Sequence, residues 1–404
     1  MKKNIYIKII FIMVISMISN LAIAANDDHD HDHGTHDSDG QFYGHLDLRV
    51  HYDIITEAEE DDEKFNEAYS HSHLELGARI DEKISINTNI KLEGEAFGHS
   101  HGGGGAAADG DDRIFEEHPL LVEKLTLNYK GENFSAYVGK FNPIVGVGYH
   151  SVPGVYGYSL IEEYAIRERV GFGSSVDFYA DYYGIHSLDF STFYADTSFL
   201  SDSRIHQRGQ TQKSDGGVAN TGDLSSFAVS LGGSNFYSLN NNNIIEGLSY
   251  RIGYALQEKG VTNEEDEERY TTSLGYKYQI SNDLSSKLIA EYMDIEHLGG
   301  EAGHDRSFYT TALKLDFKEW HLGTSYTHIR NDAEEEDESH NGHVYQISAG
   351  LMLNVFGEIE YDSFSSIQGR KKFEMLLASK KLWANHVKNL NNQSKIKLKI
   401  RKGT

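Results

Sequence analysis

Residues 121–141 contain the feature that most constrains the fold. Leu121, Glu123, Leu125, Leu127 and Tyr129 alternate with Val122, Lys124, Thr126, Asn128 and Lys130, and after Gly131-Glu132-Asn133 a second run extends from Phe134 to Phe141. Alternation at period two marks strands whose two faces meet different environments. Runs of nine or more residues exceed the usual five or six of a globular strand and match the length that crosses a bilayer obliquely. The same unit recurs along most of the chain, which predicts an all-β, antiparallel transmembrane barrel in place of a stack of soluble domains.

The other runs carry the same pattern. Phe42, Leu46, Leu48, Val50 and Tyr52 oppose His45, Asp47, Arg49 and His51; further on, Leu74, Leu76 and Ile80 stand against Glu75 and Arg79. Ile84, Ile86, Ile90 and Leu92 oppose Lys91, Glu93 and Glu95. Faces this charged fit a water-filled lumen, although a soluble sheet with one solvated face would alternate equally. The connections strengthen the barrel reading, because long ones (56–67, 98–112, 142–165, 200–222, 257–268, 297–305, 331–343) alternate with short ones (81–82, 131–133, 181–182, 240–243, 281–283, 318–319). Fourteen strands follow, and a fifteenth over 357–364 calls for a sixteenth to give an even number. The expectation is therefore sixteen strands, with fourteen as the alternative if 344–364 forms one long strand.

Candidate pore-lining residues are Asp47, Arg49, Glu75, Arg79, Lys91, Glu93, Glu95, Arg167, Arg169 and Arg251. Opposed rows of acids and bases would set up a transverse field that orients small polar solutes; wall-stiffening ion pairs are the equal alternative. Lys124 and Glu123 conflict in parity, since they occupy opposite faces of one run.

Charge is uneven. The chain carries 62 acidic and 37 basic residues, a net of -25, and a surface of that sign repels nucleic acid and attracts cations. Acidic loops supply candidate filter residues: Glu59 and Asp61, Asp111 and Asp112, Glu265 and Glu267, Glu335 and Asp337. Gathered round one mouth, they would enrich cations. The segment 370–404 is strongly basic and breaks the period-two order. There is no cysteine, which excludes thiol chemistry and disulfides.

The N-terminus reads as a signal peptide, with Lys2, Lys3 and Lys8 before an apolar run and Ala22-Ile23-Ala24 as the cleavage motif. A disordered His/Asp-rich tether follows, in which His29, His31, His33 and His36 alternate with aspartates; His99 and His101 lie in a later loop. Imidazoles two apart with carboxylates between them suit Zn or another divalent cation held weakly, and no other cofactor is called for. The domain layout is a signal peptide at 1–24, the tether at 25–41, the barrel at 42–369 and a basic tail at 370–404.

Phe141 to Tyr158, with Pro143, Pro153 and several glycines, is too apolar for a freely solvated loop. It either folds inward as a constriction, with Glu162, Glu163, Arg167, Glu168 and Arg169 at its exit, or packs on its own aromatics at the surface.

Val138-Gly139-Lys140-Phe141-Asn142-Pro143, Pro153-Gly154-Val155-Tyr156-Gly157 and the stretch Glu162 to Gly173 resemble Gram-negative porin-like outer-membrane proteins, among them the siderophore porins. The Gly-Lys-Phe-x-x-Pro stretch is also similar to one in phosphate-selective porins. The resemblance implies an outer-membrane location, contact with lipid and lipopolysaccharide, insertion by barrel-assembly machinery and a homo-oligomer, for which the residues themselves give no warrant. It also implies a terminal aromatic residue, where this sequence has Arg401-Lys402-Gly403-Thr404.

No Gly-x-Ser-x-Gly, His-Glu-x-x-His or phosphate-loop motif occurs. The sequence thus points to a non-enzymatic, cation-preferring channel for passive diffusion of small hydrophilic solutes, with no nucleic-acid partner. Metal or metal-chelate (siderophore) binding and uptake is the alternative.

Overall fold

The structure, a computed structural model, describes residues 41–54, 66–93, 113–115, 118–148, 151–154, 157–180, 183–203, 205, 209–236, 245–332, 341–354 and 358–368. The chain divides into two compact units, residues 1–367 and 368–404. The strand array belongs to the first; the expected sixteenth strand, the basic tail, the signal peptide and the His/Asp tether lie outside the described residues.

The long alternating runs form long strands. β1 (Phe42–Asp47) and β2 (Val50–Ile54) are two pieces of one pass, because both pair with β3 (Asn66–Arg79) in a single unbroken register. β3 pairs in turn with β4 (Ile84–Glu93), and β4 with β6 (Leu120–Lys130); the two-residue β5 (Arg113–Ile114) adds a short parallel pairing beside β3. From β6 each strand pairs antiparallel with the next: β7 (Phe134–Phe141), β8 (Arg169–Ala180), β9 (Gly184–Ala195), β10 (Ser226–Ser234), β11 (Leu248–Gln257), β12 (Glu267–Ser281), β13 (Leu284–Glu296), β14 (Asp305–Phe317), β15 (Trp320–Asp332) and β16 (Asn341–Asn354).

A separate β17 (Glu358–Gln368) stands where the fourteen-strand alternative requires one long strand. Counting β1 and β2 as one pass and leaving out β5, the described residues make fifteen passes. Among the short turns, the one expected at 240–243 differs most in length: β10 ends at Ser234 and β11 begins at Leu248.

The distribution of polarity is inverted relative to a water-soluble sheet. On β12 the outward Leu274 is 54% exposed, while its neighbour Ser273, facing inward, is 3% exposed. The contrast holds along the array: Ile252, Leu288, Leu322 and Ile347 are exposed, whereas Glu291, Thr310, Ser325 and Gln346 are buried. Contiguous apolar surface on this scale would drive association in water, and it is stable against hydrocarbon.

Aromatic side chains bound this apolar band at both ends. Near the long connections the outward rings of Tyr254 and Tyr270 lie 5.1 Å apart, Tyr292 and Tyr309 4.7 Å, and His328 and His343 4.7 Å. Near the short turns stand Tyr276, Tyr278, Phe317 and Trp320. From Tyr270 to Tyr278 a strand tilted as in outer-membrane barrels rises about 21 Å, close to the height of such a barrel's apolar band.

A β-bulge settles the parity conflict on β6. Lys124 pairs with Asn89 and Val122 with Ile90, so Glu123 is an extra residue in the ladder. Glu123 and Lys124 therefore both turn toward the charged face, which strict alternation forbids.

Candidate functional site

The connection between β7 and β8 does not stay beside those strands. Its described residues, 142–148, 151–154 and 157–168, reach across the inner face and touch strands β11 to β16, more than a hundred residues later in the chain. Val147 N–H donates to Glu291 Oε2 at 2.6 Å, and the Tyr164 hydroxyl donates to Glu291 Oε1 at 2.7 Å. Arg269 Nη1 donates to the Tyr164 carbonyl at 2.5 Å. The segment thus folds inward onto the wall, and the self-packed surface loop is set aside.

Apolar packing adds to the attachment. The inward positions of β13 and β14 are polar in most of the array, yet here they read Ile289, Met293, Ile295, Phe308 and Ala312, all buried. Val145, Val152, Leu160, Ile161, Tyr164 and Ile166 pack against them as one cluster. The short helix α1 (Gly157–Glu162) presents Leu160 and Ile161 to that patch. Backbone approaches the wall so closely at Gly253 that a Cβ there would lie 2.2 Å from the Val145 carbonyl oxygen. Glycine at this position is a requirement of the fit.

The two stems of the segment are tied together. Lys140 Nζ lies 3.0 Å from Glu168 Oε2 and 2.8 Å from Asp196 Oδ2, and donates to the Leu200 carbonyl at 3.0 Å. Glu168 N–H donates to Asn142 Oδ1 at 2.9 Å, and Asn142 Nδ2 donates to Glu123 Oε1 at 3.2 Å. Each buried charge has an opposite charge or hydrogen-bond partner, as burial demands.

Acidic side chains of the segment face bases of the wall. Glu162 pairs with Arg167 and lies 3.7 Å from Lys91 Nζ. Glu163 senses Arg306: burial pushes its carboxyl above the ordinary carboxylate value, and the guanidinium partly offsets the rise. Burial and the neighbouring Glu291 carboxylate hold the Tyr164 hydroxyl well above the usual tyrosine range, so it stays a donor at physiological pH. Further round the wall, Arg251 Nη1 lies 2.8 Å from Asp189 Oδ2, and Arg251 also borders a cavity between the segment and Met293.

The sequence-predicted residues distribute as follows. Asp47 and Arg49 pair at 2.5 Å on the inner face, which Glu75 and Arg79 of β3 share by register. Lys91, expected on open lumen, is 2% exposed because Glu162 and the segment cover it. Arg169, expected likewise, donates through Nε and Nη2 to Gln257 Oε1 at 3.1 and 2.8 Å.

Glu267 corrects the acidic-filter expectation. It is the first residue of β12, 1% exposed, and its carboxylate accepts from Gln257, from Arg269 at 2.6 Å and from Gly299 N–H at 2.8 Å. Its inward parity carries it into the wall, where Arg269 neutralises it. Glu265 lies in the exposed connection, 3.5 Å from Lys259 Nζ. Glu93 is placed in β4 opposite His71. Glu59, Asp61, Glu95, Asp111, Asp112, Glu335, Asp337, His29, His31, His33, His36, His99 and His101 lie outside the described residues.

Sequence reasoning missed Glu291, Asp189, Arg269 and Arg306 as wall residues, though all have inward parity. It also missed the apolar patch at Ile289, Met293, Ile295 and Phe308. A break in the polar inward register of two adjacent strands was the available signal.

No family model matches the chain, and no curated protein matches it. Among solved structures, it is similar to Salmonella typhi OmpF in complex with daunomycin, at 12% identity and a TM-score of 0.48 over 82% of this chain and 91% of that one. It is also similar to the outer membrane channel DcaP of Acinetobacter baumannii (10% identity, TM-score 0.44, 81% and 92% covered). OmpT, an outer membrane protein of Vibrio cholerae, shares 9% identity at a TM-score of 0.43 over 81% and 88%.

Proposed function

We propose that this chain is a porin-like channel of the Gram-negative outer membrane, through which small hydrophilic solutes diffuse passively without chemical change, cations in preference. One observation carries the reading: an outward face that is apolar between two aromatic girdles encloses an inner face of buried polar and charged groups, and the described residues of the β7–β8 connection cross that inner face. A lipid-facing exterior and a polar, narrowed interior are what a diffusion pore requires. Glu162 and Glu163 on the segment, opposite Lys91 and Arg306 on the wall, provide the transverse arrangement of charge.

Planar-bilayer recording of the purified mature protein tests the channel. Stable ohmic steps are expected in KCl, with a reversal potential of the cation-selective sign in a salt gradient. Anion-selective reversal would remove the cation preference, and closed bilayers from demonstrably folded protein would remove the channel.

Glu163 gives the selectivity a pH dependence of known sign. Its raised value means that it regains its proton at a higher pH than an ordinary carboxylate, so acidification removes this charge before most others. The same shift favours the folded state below the unfolded-chain value of about 4.3, and that contribution fades as pH rises through the higher folded value. Cation preference should therefore begin to fall above the usual carboxylate range. Glu163→Gln should abolish that early step and leave the lower-pH decline in place.

A further inference from the structure

On the outward face near the long connections, register aligns one row of rings across four strands. Tyr292 of β13 stands directly opposite Tyr309 of β14, Tyr309 opposite His328 of β15, and His328 opposite His343 of β16. The first two are ordinary girdle residues, an apolar ring with a hydroxyl at its wet end. The last two carry imidazole nitrogens instead, and a neutral imidazole offers a lone pair to a cation.

The two imidazoles are set side by side as the arms of a chelate. Their ring centroids are 4.7 Å apart, yet the Nδ1 atoms approach to 3.3 Å, so the rings lean together at their nitrogen edges. That separation is at the long end for a hydrogen bond. It matches the edge of a zinc tetrahedron, because two nitrogens about 2.0–2.1 Å from one ion stand about 3.3–3.4 Å from each other. The ring planes meet at 24°, and a turn of either ring about χ2, a soft torsion in histidine, aims both lone pairs at one ion. Stacking of His328 on Tyr309 at 5.9 Å and of His343 on Tyr326 at 6.1 Å keeps the pair together. Both imidazoles are half-buried, so an ion can reach them from the water side of the girdle.

We propose that His328 and His343 form a two-imidazole site for a tetrahedral divalent cation of the zinc class, on the outer wall of the barrel and outside the passage. Its place at the lipid headgroups rests on the outer-membrane reading; its chemistry does not. Water fills the remaining coordination positions, and the Tyr326 hydroxyl, 3.0 Å from His343 Nδ1, is placed to hydrogen-bond one such water. The net charge of -25 raises the concentration of cations around the chain. The site shares no residue with the His/Asp tether.

The test uses the full-length mature protein folded in detergent, carrying His29→Asn, His31→Asn, His33→Asn and His36→Asn to silence the tether. Equilibrium dialysis against Zn at neutral pH compares this background with the same protein bearing His328→Asn or His343→Asn. The background should bind one ion per chain that each variant holds more weakly by about tenfold or more, since changes merely around a metal site already cost that much. Tyr292→Phe, in the same row, should keep the ion, and Mg, which takes oxygen ligands, should not displace it. Equal Zn binding in the background and both His variants overturns the site, and a loss in only one of them overturns the chelate. Should an Asn variant fail to fold, X-ray absorption of the background loaded with one equivalent of Zn decides: two imidazoles at about 2.0–2.1 Å support the site, and fewer overturn it.

Discussion

Replacing residues 144–163 with a short Gly/Ser link should raise single-channel conductance severalfold while leaving the protein folded as a barrel. The segment occupies the inner face opposite β11 to β16 through contacts at Val145, Ile161, Tyr164 and Glu291, so it occupies cross-section that ions would otherwise use. Current through a water-filled pore follows its narrowest area. The strand ladders on either side of it close without its help, since β7 and β8 pair directly from Phe141–Arg169 downward. Conductance in KCl, measured beside the heat-modifiable gel mobility of the folded form, checks both halves of the expectation. An unchanged conductance would mean that the segment does not define the narrowest part of the passage. Gly253→Val is the point-mutant counterpart, because its side chain would collide with the Val145 carbonyl and push the segment off the wall.

Glu291→Ala should loosen the constriction without opening it permanently. One carboxylate accepts both the half-buried Val147 amide and the buried Tyr164 hydroxyl, and its removal leaves both donors without that acceptor. Each such loss costs about 1–3 kcal/mol. The apolar cluster still holds the segment, so the expected result is flickering current with a higher mean, together with new protease cleavage within 142–166. Glu291→Gln should fall between the two, because its single carbonyl oxygen can serve one donor well while its amide nitrogen confronts the other. A current trace as quiet as wild type in Glu291→Ala would show that packing alone fixes the segment.

Strand positions were legible because alternation is local. The runs at 84–93, 121–130 and 344–353 could be read without knowing any neighbour, and the short connections at 131–133 and 318–319 fall where strands end in the structure. The inward fold of 142–168 was legible only as one of two options. Its composition showed that it must bury apolar surface, but the surface that receives it is assembled from β11 to β16 and has no signature at the segment itself. Glu267 was misplaced for a related reason: an acidic run looks like a loop, and only its pairing with Gln257 across β11 and β12 draws it into the wall.

By itself the sequence indicated an all-β, antiparallel fold, the order of most strands and, where alternation is unbroken, which side chains share a face, since a period of two is a property of the backbone over a few residues. Tertiary structure decided the rest. Register brought His328 opposite His343 and placed the bulge at Glu123; long-range closure joined Tyr164 to Glu291 across 127 positions. Pairing offset and burial depend on contacts between distant segments, and no local pattern encodes them.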